Sequence, residues 1–307
     1  MSAMRVVVFG ATGDQGSAQV RALARAGHCP IAVSRSPMPW VIGGKSIETF
    51  AADYADLGGM AQAVQGSDAV FLNLPSTSFQ AAQPLIAAAG AIAKAAAASP
   101  TTQALIFNTS LPVPLEKRGF AAQDARHEMR RLVFACGVAA VSIEPVVFLD
   151  NLLKGWAWPS IAKHNKLVYA HKETLAVSWI CHDDLAALMI AALERPQLAG
   201  RSFAVGGPET VQLPLLAHKL SRAWNRPLTW ESQSIDVFCQ RMRQVFEGKS
   251  SLDADRLIGE LHRIYTWYNE SPERPFQVDM APVLKELPVR LTPIEEWARQ
   301  QTLPEAA

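Results

Sequence analysis

Met4-Arg5-Val6-Val7-Val8-Phe9-Gly10-Ala11-Thr12-Gly13-Asp14-Gln15-Gly16 is the stretch that decides the fold. Val6 to Phe9 is an apolar run short enough for a buried strand, and three glycines follow it at three-residue spacing. Ser17 to Arg25 has helical patterning, and a second apolar piece, Pro30 to Val33, ends in Ser34-Arg35-Ser36. Strand, glycine turn, helix, strand is the opening of a βαβ unit. Gly10 can leave the strand through a turn that a Cβ would obstruct. Gly13 lets the backbone approach a pyrophosphate, and Gly16 lets the helix lie close to the strand. The unpaired amides of the first helical turn, helped by the helix dipole, would face the phosphates. The stretch is therefore expected to bind a dinucleotide.

Arg35 refines that expectation. A site for NAD places Asp or Glu at the end of the second strand, where it holds the ribose 2′-hydroxyl. Here the position carries Arg35 between two serines and no carboxylate. A guanidinium suits a 2′-phosphate through charge-assisted, bidentate hydrogen bonds. NADP(H) is expected in preference to NAD(H); the plainer reading is a solvated surface arginine.

Outward from this unit, strands and helices alternate. Ile47 to Ala51, Ala69 to Leu74, Ala104 to Phe107 and Val138 to Ile143 read as strands, and Leu57 to Val64 and Gln80 to Ala98 as helices. Asp124 to Ala135 reads as a helix with Asp124 as its N-cap. The alternation predicts an α/β fold, a Rossmann-type doubly wound parallel sheet with ligands at the C-terminal ends of its strands. Gln80 to Ala98 is alanine-rich with Lys94 as its one charge, so it is expected to be buried against the sheet or a second copy of the chain, as in a homodimer.

Beyond Phe148 the pattern changes. Asn151 to His164 reads as a helix, Lys166 to Ala170 and Leu175 to Ile180 as strands, and His182 to Leu193 as a helix capped by Asp183-Asp184. Ser202 to Val205 reads as a strand, and Leu213 to Trp224 and Thr292 to Gln300 as helices. Residues 241–275 are read only as mostly helical. The expected organisation is a dinucleotide-binding domain over 1–150 and a smaller α+β domain over 151–307, with a segment near 176–206 returning to the first.

The 307 residues are 49% hydrophobic and carry a formal net charge of +1. That near-neutral balance, without a basic run, points away from nucleic acid. No apolar run is long enough for a membrane span. The N-terminus reads as a strand rather than a signal peptide, and Cys29, Cys136, Cys181 and Cys239 are scattered. A cytoplasmic protein with reduced thiols and no bound metal is expected. His182 beside Asp183 and Asp184 lacks the further ligands a metal would need.

These features together resemble the NmrA-like group of atypical short-chain dehydrogenase/reductases. The resemblance rests on the glycine stretch, on Arg35, and on Ile143-Glu144-Pro145-Val146-Val147-Phe148-Leu149-Asp150-Asn151, which is similar to the group's LRPxxFMEN segment with Glu144 in place of the usual Arg. Trp179 to Leu185, Gly206-Gly207-Pro208-Glu209 and Leu213 to Pro227 add to it. The resemblance implies that Gly10, Thr12, Gly13, Gln15 and Gly16 hold the pyrophosphate. It puts Arg35 on the 2′-phosphate, Asp53 and Tyr54 at the adenine, and Leu74 and Pro75 at the nicotinamide ribose. Asn108, Thr109 and Pro145 would lie near the nicotinamide.

The chain also departs from the group. Arg126 stands where reductases of the group often carry Lys, and no Tyr-x-x-x-Lys is present. Arginine stays protonated and makes a poor general acid, although it can anchor a cofactor or stabilise an oxyanion. His127 is the nearest titratable alternative, against the reading of a helix-face histidine without a chemical role. Phe148, Asn151, Trp156, Trp158 and Trp179 are candidates for an aromatic substrate wall; plain core packing is the alternative. The expected function is an NADPH-dependent oxidoreductase that transfers hydride to a small apolar acceptor, aromatic or conjugated, of quinone or enone type. Its rival is a non-catalytic NADP(H) sensor that binds a protein partner.

Overall fold

A computed structural model of the chain describes residues 2–78, 80–247 and 253–305. Its strands are β1 (Arg5–Phe9), β2 (Cys29–Ser34), β3 (Trp40–Ile42), β4 (Lys45–Ala51), β5 (Ala69–Asn73), β6 (Ala104–Asn108) and β7 (Ala139–Pro145), followed by β8 (Lys166–Tyr169), β9 (Ser202–Val205) and β10 (Thr229–Ser232). Eight of them form one sheet in the order β3-β4-β2-β1-β5-β6-β7-β9, parallel throughout except for the β3–β4 pair. The helices are α1 (Asp14–Arg25), α2 (Leu57–Val64), α3 (Ala82–Ala98), α4 (Ala121–Phe134), α5 (Trp158–His164), α6 (His182–Leu193), α7 (Leu213–Ala223), α8 (Ile235–Phe246), α9 (Ala254–Glu270), α10 (Met280–Glu286) and α11 (Ile294–Gln300).

The period of two along β1 explains the layers. Val6 and Val8 enter one core, where α1, α6 and α10 pack. Val7 and Phe9 enter the other, where α2, α3 and α4 pack. Because helices cover both faces, β5 and β6 are buried at every residue. The alanine-rich helix α3 lies between α2 and α4, its small side chains buried against the sheet. The remaining elements form an aromatic-rich assembly beside the strand ends, in which β8 and β10 pair in parallel.

Several local readings change. Gly43 and Gly44, both at positive φ (+58° and +79°), close a hairpin between β3 and β4 that the apolar pattern had not signalled. Residues 175–180 are not a strand; they touch neighbouring backbone only through single bridges, Phe148–Ile180 and Val177–Val211. Asn151–His164 is not one helix. A 3₁₀ turn, Leu149–Leu153, precedes Gly155 and Pro159, and α5 starts only at Trp158. Asp124 lies inside α4, whose N-cap is Phe120, and its carboxylate instead accepts from the amides of Arg118 and Gly119. Asp184 does not cap α6; it accepts from the amide and hydroxyl of Thr292 and ties α6 to the approach to α11. Most of residues 241–275 falls in α8 and α9, while 248–252 lie outside the described residues.

No helix among the described residues is long and apolar enough to cross a membrane. The four cysteines are free, and no group of three or more His, Cys, Asp or Glu able to hold a metal occurs among the described residues.

Candidate active site

The C-terminal ends of the strands open into a cavity of about 960 Å³ that runs from the glycine turn to the faces of α8 and α9. At the glycine end the chain leaves β1 through Gly10 at φ +67°. A Cβ on Gly16 would stand 2.2 Å from the Gly10 carbonyl oxygen, so α1 lies against the turn as only glycine permits. Gly13 is the N-cap of α1 and no side chain caps the helix, which leaves its first-turn amides available. Gly10, Thr12, Gly13, Gln15 and Gly16 all line this end. A glycine cradle at an uncapped helix N-terminus fits a pyrophosphate.

Arg35, Asp53 and Tyr54 line the same end. The Arg35 side chain is 78% exposed and its Nε is 3.9 Å from Asp53 Oδ2, an ion pair too open to contribute much stability. Tyr54 donates to the Asn73 carbonyl at 2.8 Å, and burial pushes its phenol well above 10.

Below the cavity floor runs a ladder of amides. Gln19 and Asn73 exchange hydrogen bonds, Nε2 to Oδ1 at 2.9 Å and Nδ2 to Oε1 at 2.7 Å. Asn73 Nδ2 also donates to the Phe9 carbonyl, and Asn108 Nδ2 donates to Asn73 Oδ1 at 2.8 Å and to Gln15 Oε1 at 2.5 Å. Ser110 completes it by donating to Gln15 Oε1. Asn108 is therefore fully buried behind the wall and supports it without lining it. Thr109, also buried, donates to the Leu111 carbonyl and takes no part in the lining. Pro145 ends β7 beside it and is likewise outside the lining. Asn73 and Gln19 escaped the sequence reading; an asparagine closing an otherwise apolar central strand was the available signal.

Leu74 and Pro75 line the cavity and are held by Arg126, whose Nη2 donates to their carbonyls at 3.0 and 2.7 Å. Arg126 reaches the lining but has 0% exposure, and among the described residues no carboxylate partners it. Burial lowers its pKa to about 10, so it remains charged near neutrality. With Nη2 committed to the β5–α3 loop, the guanidinium acts here as a loop anchor rather than as a donor to a reacting group. Gln123, one turn earlier on α4, lines the cavity at 1% exposure and faces the Tyr268 phenol. His127 is not brought to the cavity. It points around α4 toward the 111–119 loop, where Nε2 meets the Leu115 carbonyl at 2.9 Å.

The far wall is aromatic. Phe148, Asn151 and Trp156 line it as the sequence suggested, joined by Tyr169, Tyr265 and Tyr268, which the sequence reading did not place. Trp156 packs edge-on to Tyr169 with centroids 5.3 Å apart. Trp179 stands behind Tyr169, again edge-on at 5.3 Å, and Trp158 packs on Trp224; neither lines the cavity, because each is a second-row core ring. His182 also lines the cavity, its ring tilted on Phe148 at 4.6 Å and its Nδ1 3.4 Å from Asp150 Oδ1.

The chain is similar to known proteins in sequence and in fold. The chain is 28% identical over 234 residues to the (4-alkanoyl-5-oxo-2,5-dihydrofuran-3-yl)methyl phosphate reductase of Streptomyces griseus, with 76% of this chain and 78% of that one covered. It is 24% identical over 250 residues to the NAD(P)H azoreductase of Xenophilus azovorans, with 81% and 84% covered. In fold it is similar to the crystal structure of NmrA, a negative transcriptional regulator, in complex with NADP. That likeness has a TM-score of 0.72 at 18% identity and covers 98% of this chain and 95% of that one. The model of the NmrA-like family matches residues 2–298, and with a Rossmann-type sheet and a glycine cradle in place the chain belongs to that family.

Proposed function

We propose that the protein is an NADPH-dependent oxidoreductase acting on a small conjugated acceptor of quinone or enone type. The observation that carries this reading is one continuous cavity, with a glycine cradle at one end and a wall of tyrosine, tryptophan and phenylalanine rings at the other. The cradle, Arg35 and the Asp53–Tyr54 pair would hold the cofactor, with Arg35 on the 2′-phosphate. Bound there, the reduced cofactor supplies hydride. Leu74 and Pro75, fixed by Arg126, would support its nicotinamide half. The ring wall excludes water and stacks a flat acceptor, and such proximity in a dry cleft is the main demand of hydride transfer. The two reductases among the relatives agree with this chemistry.

One observation favours a second reading, an NADP(H)-binding regulator. The residue at the position of the group's lysine is a buried arginine bonded to backbone carbonyls, and such a group transfers no proton. NADPH absorbance, followed with the purified chain and a panel of quinones, enones and azo dyes, separates the two. Steady oxidation of NADPH supports the reductase. Tight NADPH binding without oxidation across the panel refutes it in favour of the regulator.

A further inference from the structure

Reduction of a quinone or enone needs a proton source as well as a hydride. A hydride added to a quinone or enone leaves negative charge on the acceptor oxygen, which must be protonated. Tyr54, Tyr169, Tyr265 and Tyr268 line the cavity, but burial holds their protons too tightly for easy transfer. His182 is different. It opens α6, lines the cavity and is held at two points by one carboxylate. Asp150 Oδ2 accepts from the His182 backbone amide at 3.0 Å, and Oδ1 lies 3.4 Å from Nδ1. Among the described residues Nε2 has no protein partner. Phe148 fixes the ring plane from one side. A carboxylate on one imidazole nitrogen and an open cavity at the other is the arrangement of an oriented acid.

We propose that His182, oriented by Asp150, is the proton donor to the acceptor oxygen. This rests on the reductase reading above. As hydride from the cofactor bonds to the acceptor carbon, the displaced electron pair moves onto the oxygen. An O–H bond forms there as the Nε2–H bond of the imidazolium breaks, leaving a neutral ring with Nδ1–H toward Asp150. Solvent then restores the proton. The acceptor is reduced by two electrons, the cofactor is oxidised by two, and the net proton comes from water.

The charged groups around the ring set its pH range. Asp150 faces it from the 3₁₀ turn, Asp14 from the start of α1, and Asp183 from its own helix; each favours the protonated form. Lys154, bound to Asp14 at 2.6 Å, opposes it, and burial opposes it most, so the ring titrates below 6.5. Turnover should therefore decline with rising pH, and at a lower pH than an unburied histidine would impose.

The test uses the full chain, NADPH and 9,10-phenanthrenequinone. His182→Ala should lower kcat by about 100-fold, within the range of general acid catalysis. NADPH affinity should stay unchanged, free imidazole should restore part of the rate, and the decline with pH should disappear. Asp150→Asn should move that decline to lower pH. In NMR titrations the His182 imidazole resonance should shift when the quinone is added with NADP⁺, a pair that cannot react. If wild-type protein leaves NADPH unoxidised, the reductase reading fails and the proposal falls with it. If wild type turns over and His182→Ala keeps its rate and pH profile, the proposal fails alone. A loss confined to NADPH affinity, or an imidazole resonance indifferent to the quinone, also overturns it.

Discussion

Replacing Glu144 by Leu tests the charge pair buried between β7 and α4. Glu144 and Arg130 form a buried ion pair, Nη1 to Oε1 at 2.8 Å, with side chains 6% and 9% exposed. Arg130 also donates to the carbonyls of Val113 and Pro114, and Ser142 Oγ donates to the same Glu144 oxygen. At 2.8 Å and an effective dielectric constant of about 20, the direct attraction is about 6 kcal/mol. Both ions have lost water, so the net worth of the pair is smaller. Removing one partner, however, strands a buried guanidinium, which commonly costs about 3–5 kcal/mol. The two backbone carbonyls soften the loss for Arg130, while Ser142 loses its acceptor. Glu144→Leu should therefore cost about 3–4 kcal/mol of unfolding free energy in a urea titration. Arg130→Met combined with Glu144→Leu should recover most of that, because no charge is then left buried. A single-variant cost under about 1 kcal/mol, or a double variant no better than the single, would refute the assignment. The single variant should also loosen the 111–119 loop, since Val113 and Pro114 are held by the same arginine.

Arg35→Ala should weaken NADPH binding by about 1.5–3 kcal/mol and leave NADH nearly unchanged, as measured by calorimetry; equal weakening of both removes Arg35 from the 2′-phosphate. All four tyrosines of the chain hold their protons more tightly when folded than at the ordinary value of 10. Their contribution is intact below pH 10 and is lost above it at about 1.4 kcal/mol per pH unit for each, so tyrosinate absorbance should rise only together with unfolding. His171, enclosed by Tyr169, Trp179, Tyr265 and Phe276, is pushed down to about 3 by burial. The unfolded chain then binds the extra proton first, so stability should fall as pH drops from 6.5 toward 3, and His171→Phe should flatten that limb of the pH–stability curve.

The part of the site carried by one short segment was legible in the sequence. Gly10, Gly13 and Gly16 are specified by local backbone geometry, and a glycine turn between strand and helix has few other uses. The strand ends were legible for the same reason, because continuous apolar runs mark buried parallel strands. What escaped was assembled from distant segments. Tyr169 and Tyr265 line one cavity from positions nearly a hundred residues apart, and Asp150 reaches His182 from a 3₁₀ turn that overlaps the start of the helix expected over 151–164. Residues 175–180 are apolar enough for a strand, yet they meet neighbouring backbone only in isolated bridges. Arg126 was placed by spacing, yet its hydrogen bonds depend on where the β5–α3 loop returns, which no local pattern encodes.

The amide ladder under the cavity has a consequence for how the protein matures. Its hydrogen bonds join residues 54, 35 and 93 positions apart in the chain. The set is complete only when β1, β5 and β6 stand side by side, and pairings of such sequence separation are slow to assemble. A partly folded chain therefore has no finished cavity floor, however complete its glycine turn. A ligand that requires this floor binds only completed molecules and draws the population toward them by mass action. Cofactor supply would then set not only how fast the protein works but how much of it, at any moment, has finished folding.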